Sequence, residues 1–395
     1  MYSYRPDMRK RGFQSPGLDH SRTITGASAS NASVERAAVD GTLMKGRGAN
    51  SNRASRFLTT RSVAETDGWS AGPESEDTGS VVATELYPDR TRTLITRNRS
   101  PDIPFDRSIN PYKGCEHGCV YCFARPTHAY LDLSPGLDFE TRIFYKTGVR
   151  ETLTAELGRP GYVCRSIAMG TNTDPYQPAE RERRVTRTVL EVLLEHRHPV
   201  SIVTKGRLVL RDLDLLAELA GLGLARVAVS LTTLDNELKA RLEPRATGPA
   251  ARLKMIRELS AAGVPTGVMV APVIPFLNDH ELEDMLAAAA DAGAFEAGYV
   301  MLRLPLEVKG LFEEWLAAHY PLKARRVMSA VVQMRGGKAY DSAWGERMRG
   351  TGAMADLIAR RFAAAVRRHG LSGGDGPSLR TDLFRPPGYR QLGLF

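Results

Sequence analysis

Cysteine is scarce in this chain, with four in 395 residues. That excludes a disulfide scaffold. Long apolar runs are missing too: no window approaches the ~18 consecutive apolar residues of a membrane span. The opening Met1-Tyr-Ser-Tyr-Arg-Pro-Asp-Met-Arg-Lys-Arg11 lacks the apolar stretch of an export signal, so a cytoplasmic protein is expected. No Gly-x-Gly-x-x-Gly follows the first predicted strand, which argues against a dinucleotide fold. What is present is ordinary for a globular protein. The chain is 42% hydrophobic and 25% charged, which excludes a fully disordered chain. Its length allows two or three domains, or one barrel-sized domain with tails.

Charge is unevenly spread. The net charge of +9 divides into +7 over residues 1–61 and +9 over 321–395, which leaves −7 for residues 62–320. Basic ends around an acidic middle can bind phosphates, so DNA or RNA is an expected partner. The plainer alternative is solubility charge. Residues 1–80 carry no sustained apolar period and read as a disordered arm, with 81–105 as a lead-in segment.

From Asp106 onward, β-rich runs alternate with amphipathic stretches. Strands are predicted at 108–111, 166–169, 201–204, 226–231, 266–270 and 298–303. Helices are predicted at 147–157, 179–196, 212–220, 249–262, 279–292 and 309–318, with Asp212 and Asp279 as N-caps. Six strand–helix units predict an α/β fold with a parallel sheet and right-handed crossovers. At about 30 residues per unit, 106–320 fits a six-unit partial (β/α) barrel. A doubly wound open sheet shares the same alternation. Residues 321–395 form a basic helical extension and tail, with a helix predicted at 354–368.

Three of the four cysteines fall within eight residues, Cys115-Glu-His-Gly-Cys119-Val-Tyr-Cys122, just after the first predicted strand. Thiolates at this density bind soft metals. A [4Fe–4S] cluster normally takes four cysteines, so three local ones leave one iron open to a small chelating ligand. The alternative is a structural zinc site completed by His117 or His128, but the second paired module usual in such sites is absent.

Cys-x3-Cys-x2-Cys with an aromatic before the third cysteine resembles the radical S-adenosylmethionine (SAM) superfamily. The run from Asn110 to Arg125, together with Gly170-Thr-Asn-Thr-Asp-Pro-Tyr-Gln-Pro178, is similar to its spore photoproduct lyase-like branch, related to DNA repair photolyases. The resemblance spans residues 106 to about 365. It implies a [4Fe–4S] cluster on Cys115, Cys119 and Cys122, with SAM chelating the open iron. It implies cleavage of SAM to methionine and a 5′-deoxyadenosyl radical that abstracts hydrogen, and a reducing partner such as a flavodoxin or ferredoxin. It assigns SAM contacts to Thr171, Asn172 and Asp174 after the second strand and to Ser230 at the end of the fourth. Arg245, before the next helix, is expected to fork onto a carboxylate. Tyr121, beside the third cysteine, is expected either against adenine or packed under the loop. The branch's hydrogen-returning cysteine would fall in Met169–Asn172, where this chain has none. Cys164, some five residues upstream, reads as a small buried hydrophobe.

These observations point to a radical SAM enzyme acting on a nucleic acid or other phosphate-bearing substrate. The alternatives are a nucleic-acid-associated protein with a structural or redox-sensing cluster and no turnover, and radical modification of a protein or small molecule. Arg390-Gln-Leu-Gly-Leu-Phe395 is similar to the peptide by which bacterial DNA repair and replication proteins bind the sliding clamp. In that mode Gln391 would bond at the pocket rim, and Leu392, Leu394 and Phe395 would fill apolar pockets.

Overall fold

A computed structural model describes residues 46–53, 56–57, 82–374 and 378–388. The main sheet is built from β2 (Ile95–Arg97), β3 (Arg107–Ile109), β6 (Ile167–Met169), β7 (Val200–Thr204), β8 (Ala225–Ser230), β9 (Thr266–Val273) and β10 (Glu296–Met301). Its order is β10-β9-β8-β7-β6-β3-β2. Every pair is parallel except β2 with β3. A smaller sheet combines β1 (Glu85–Asp89), β5 (Arg142–Lys146) and β4 (Tyr112–Lys113).

The order decides between the two architectures that the alternation allows. Each parallel strand from β3 to β10 lies beside its predecessor, always on the same side. A doubly wound sheet reverses direction at a switch point. Winding one way with right-handed crossovers puts all helices on one face, which is barrel construction. The six predicted strands are β3 and β6 to β10.

Burial alternates along β7, β8 and β10, as strands with one face on the helices require. The helix Val185–Glu195 buries Val185, Val189, Leu190, Val192 and Leu193 in that layer. Each such aliphatic contributes roughly 1.5–3 kcal/mol.

The helix predicted over 179–196 is broken. Arg184 takes φ 50° between Glu180–Arg183 and Val185–Glu195. The buried Glu180 carboxylate accepts from Thr186 N at 3.0 Å and Arg187 N at 3.3 Å, so it caps the second helix from outside. Asp212 and Asp279 do not cap through their side chains. Asp212 instead binds Arg187 and Arg211. Sequence periodicity also missed the small sheet and the helices Asn236–Leu242 and Pro321–Gln333.

Most of the expected arm over 1–80 lies outside the described residues, as do Gln391, Leu392, Leu394 and Phe395. Within the arm, residues 46–53 are packed against the cysteine loop. Gly48 N and Ala49 N donate to the Glu140 carboxylate at 3.0 and 2.9 Å, and Arg47 donates to the Glu140 carbonyl at 3.0 Å. A Cβ on Gly48 would stand 1.7 Å from Gly118 O, so this crossing admits only glycine. Further on, residues 380–388 run across the opposite end of the barrel. There Arg385 N donates to His196 O, and Phe384 packs edge-on against His198. No described helix is long and apolar enough to cross a membrane.

Candidate active site

The carboxyl ends of β6 to β10 surround a cavity of about 290 Å³. Cys115, Cys119 and Cys122 line it from the loop after β4. That loop is held on all sides by its backbone. Cys115 N donates to Phe139 O, Glu116 N to Gln177 Oε1, and Val120 N to Leu242 O. Beneath it, the fully buried Arg125 donates to Cys119 O at 2.9 Å and pairs with Glu140 at 2.5 Å. Glu140 therefore ties the loop to the 46–53 strap.

Three thiols share one cavity. A multi-iron cluster takes each thiolate at a different iron, and three cysteines leave one iron open. Burial raises all three thiols, Cys119 to about 12 with Glu243 adding to the effect. Thiols in such surroundings become ligands only when a metal cation supplies the opposing charge. His128, the alternative zinc ligand, is turned away: its Nε2 meets Arg142 O at 3.0 Å, and burial lowers it to about 4.

The turn after β6 lines the same cavity with Thr171, Asn172 and Asp174. It starts at Gly170, where φ is 82° and a Cβ would lie 1.9 Å from Val203 O. Asp174 is already saturated. Its Oδ1 accepts from Thr204 Oγ1 at 2.7 Å and Tyr176 N at 2.8 Å; its Oδ2 accepts from Lys205 N at 2.7 Å and faces His117 Nδ1 at 3.3 Å. Burial opposes its ionisation, but His117 and these donors hold it down to about 2. With its lone pairs used, Asp174 fixes the turn and His117, while Thr171 and Asn172 keep their side-chain oxygens for a ligand.

Ser230 also lines the cavity, with only a long 3.4 Å contact to Ala271 O. Tyr121 lines it as well, but its hydroxyl donates to the buried Glu243, which leaves only the ring for stacking. Arg245 is not among the lining residues. It is partly exposed and pairs with Glu116 at 3.3 Å.

Sequence reasoning passed over Glu243, Lys205 and Arg303. Glu243 accepts from Thr232 Oγ1 at 2.6 Å and pairs with the buried Arg252, while Lys205 Nζ stands 3.8 Å away. Burial would raise its carboxyl, yet Arg252 and Lys205 hold it at about 2. Lys205 and Arg303 both line the cavity. Their signal was positional: each follows a barrel strand at its carboxyl end. Cys164 lies outside the cavity and is half-buried rather than buried. Among the described residues no fourth cysteine lines it.

The family model of the radical SAM superfamily matches residues 109–289. An uncharacterized protein of Mycobacterium tuberculosis is 44% identical over 221 residues, which are 55% of this chain and 65% of that protein. The match thus spans just under two thirds of that relative's length. An uncharacterized protein of Methanocaldococcus jannaschii is 27% identical over 213 residues, 54% of this chain and 76% of the relative. Among solved structures, spore photoproduct lyase complexed with dinucleoside spore photoproduct superposes with a TM-score of 0.54 at 16% identity. The superposition covers 73% of this chain and 81% of that one. At that identity the likeness is one of fold.

Proposed function

Since this chain belongs to the radical SAM superfamily, we propose that it is a radical SAM enzyme acting on a nucleic acid or another phosphate-bearing substrate. The observation that carries this reading is the convergence of Cys115, Cys119 and Cys122 with Thr171, Asn172, Lys205 and Ser230 on one cavity at the carboxyl ends of the strands. When bound, a reduced [4Fe–4S] cluster and SAM supply a 5′-deoxyadenosyl radical able to abstract hydrogen from a substrate.

The chain's own residues bind and position. Cys115, Cys119 and Cys122 would hold three irons. Lys205 would offer a cation to the SAM carboxylate, while its backbone N–H remains on Asp174. Thr171 and Asn172 would accept from the SAM ammonium. Ser230, whose hydroxyl is weakly engaged, would meet a ribose hydroxyl. The Tyr121 ring and the β9 backbone around Ala271 would give adenine a flat apolar wall. Val203, Met269 and Met301 exclude water from the same space.

The test is anaerobic reconstitution of the full chain. About four irons and four sulfides per chain are expected, with 5′-deoxyadenosine formed from SAM under reduction. Cys115→Ala, Cys119→Ala and Cys122→Ala should each abolish the cluster, whereas Cys164→Ala should keep it. A stable cluster with no SAM cleavage would favour a structural or redox-sensing role. Stoichiometric zinc would overturn the assignment.

A further inference from the structure

Arg303 lines the cavity two residues after β10, and among the described residues its positive charge has no counterion. Nη1 donates to Met348 Sδ at 3.2 Å, a weak acceptor. Nε is buried with no hydrogen-bond partner. The guanidinium carbon lies 4.9 Å over the Phe123 ring. Its charged neighbour is another cation, Arg335, which is itself committed to the carbonyls of Leu302 and Glu346. Among the described residues no carboxylate pairs with Arg303, whereas the buried Arg125 and Arg252 each have one.

A guanidinium with unmade hydrogen bonds in a largely apolar cavity is unfavourable for the free protein. The arrangement makes sense when the anion arrives with a ligand. Among the described residues two basic side chains of the lysine and arginine type line the cavity, Lys205 after β7 and Arg303 after β10, at opposite ends of four adjacent strands. Lys205 has Glu243 beside it and neighbours the Asp174 turn. Arg303 stands with Phe105, Phe123 and Met348, which offer aromatic and thioether faces to a planar ring. A fork-shaped donor beside flat apolar surfaces suits a phosphodiester joined to a base.

We propose that Arg303 is the substrate-side anion residue and that it binds a phosphodiester of the substrate. This rests on the reading of the cavity as the active site. The test uses the reconstituted full chain and two probes: tetrathymidylate, and the same tetranucleotide with neutral methylphosphonate linkages. Titration calorimetry should show the wild type preferring the phosphodiester at least tenfold. Arg303→Gln should lose at least tenfold of phosphodiester affinity and erase the preference, while Arg303→Lys should retain part of it. SAM affinity should stay within twofold in both variants. Arg303→Met, which keeps the volume and removes the uncompensated charge, should melt at or above the wild-type temperature.

A tenfold loss of SAM affinity in Arg303→Gln would overturn the proposal by assigning the residue to the SAM carboxylate. Marked destabilisation of Arg303→Met would overturn it by showing that an anion of the chain itself balances the charge. Equal binding of the two probes by the wild type, or no binding of either, would also overturn it. Formation of 5′-deoxyadenosine by the wild type is read separately. Its failure speaks against the active-site reading and leaves the phosphodiester preference to stand or fall on the binding data.

Discussion

Glu243 is the side chain on which most of the site's buried charge depends. It receives Arg252, Lys205, Thr232 and Tyr121 while fully buried. Glu243→Ala leaves Arg252 buried and unpaired, a loss expected at roughly 3–5 kcal/mol. Glu243→Gln keeps the shape and should lose less. The pH dependence follows from its carboxyl lying at about 2, below the ordinary 4.5. A lowered carboxyl contributes stability that is complete above the unfolded value and fades as pH falls toward the folded one. The melting-temperature gap between wild type and Glu243→Gln should therefore be full at pH 6 and shrink between pH 4.5 and 2. A gap that stays constant over that range would show that the carboxylate is not held by these partners.

At the scale of elements, the cysteine loop is set by pieces distant in sequence. The 46–53 strap crosses it at Gly48, and Glu140 joins strap, loop and Arg125. Gly48→Ala should expel the strap while leaving the barrel helices intact. The expected outcome is unchanged far-ultraviolet circular dichroism with lower iron content after reconstitution; full iron loading would mean that the strap is dispensable. A second long-range contact closes the open side of the barrel. The loop 98–106, between β2 and β3, meets 341–350 through the Asp102–Arg347 ion pair, with Gly345 N also donating to Asp102 at 2.6 Å. These loops link opposite edges of the sheet, since Met301 N at the end of β10 donates to Met348 O. Asp102→Asn should speed amide exchange in both loops and leave β7 and β8 unchanged. Exchange confined to one loop would show that they are not coupled.

For the whole molecule, the basic ends are the feature that a polyanion would read. The proposed binding to DNA should weaken steeply with salt, its slope set by the number of phosphates neutralised. Because residues 46–53 belong to the folded body, the informative truncation removes residues 1–41 and spares the strap. That stretch holds six basic and four acidic residues. Its removal should make the slope shallower without changing the melting temperature. An unchanged slope would confine phosphate contact to the body and the extension.

The sequence determined the barrel strands, because strand–helix alternation is a local pattern of side-chain period and turn residues. It likewise determined the cysteine triad, because the three ligands lie within eight residues. The cavity-lining positions of Thr171, Asn172 and Ser230 were legible for the same reason: the first two follow β6 and Ser230 ends β8, and the carboxyl ends of barrel strands face the cavity. The tertiary structure alone decided the winding direction, which depends on which strands become neighbours. It also decided what each polar side chain spends its hydrogen bonds on. Asp174 is saturated by Thr204, Lys205, Tyr176 and His117; Arg245 turns to Glu116; and Arg303 is left without an anion among the described residues. Apart from Tyr176, these partners lie about 30 to about 130 residues away, and a hydrogen bond forms between neighbours in space, which a linear pattern does not specify.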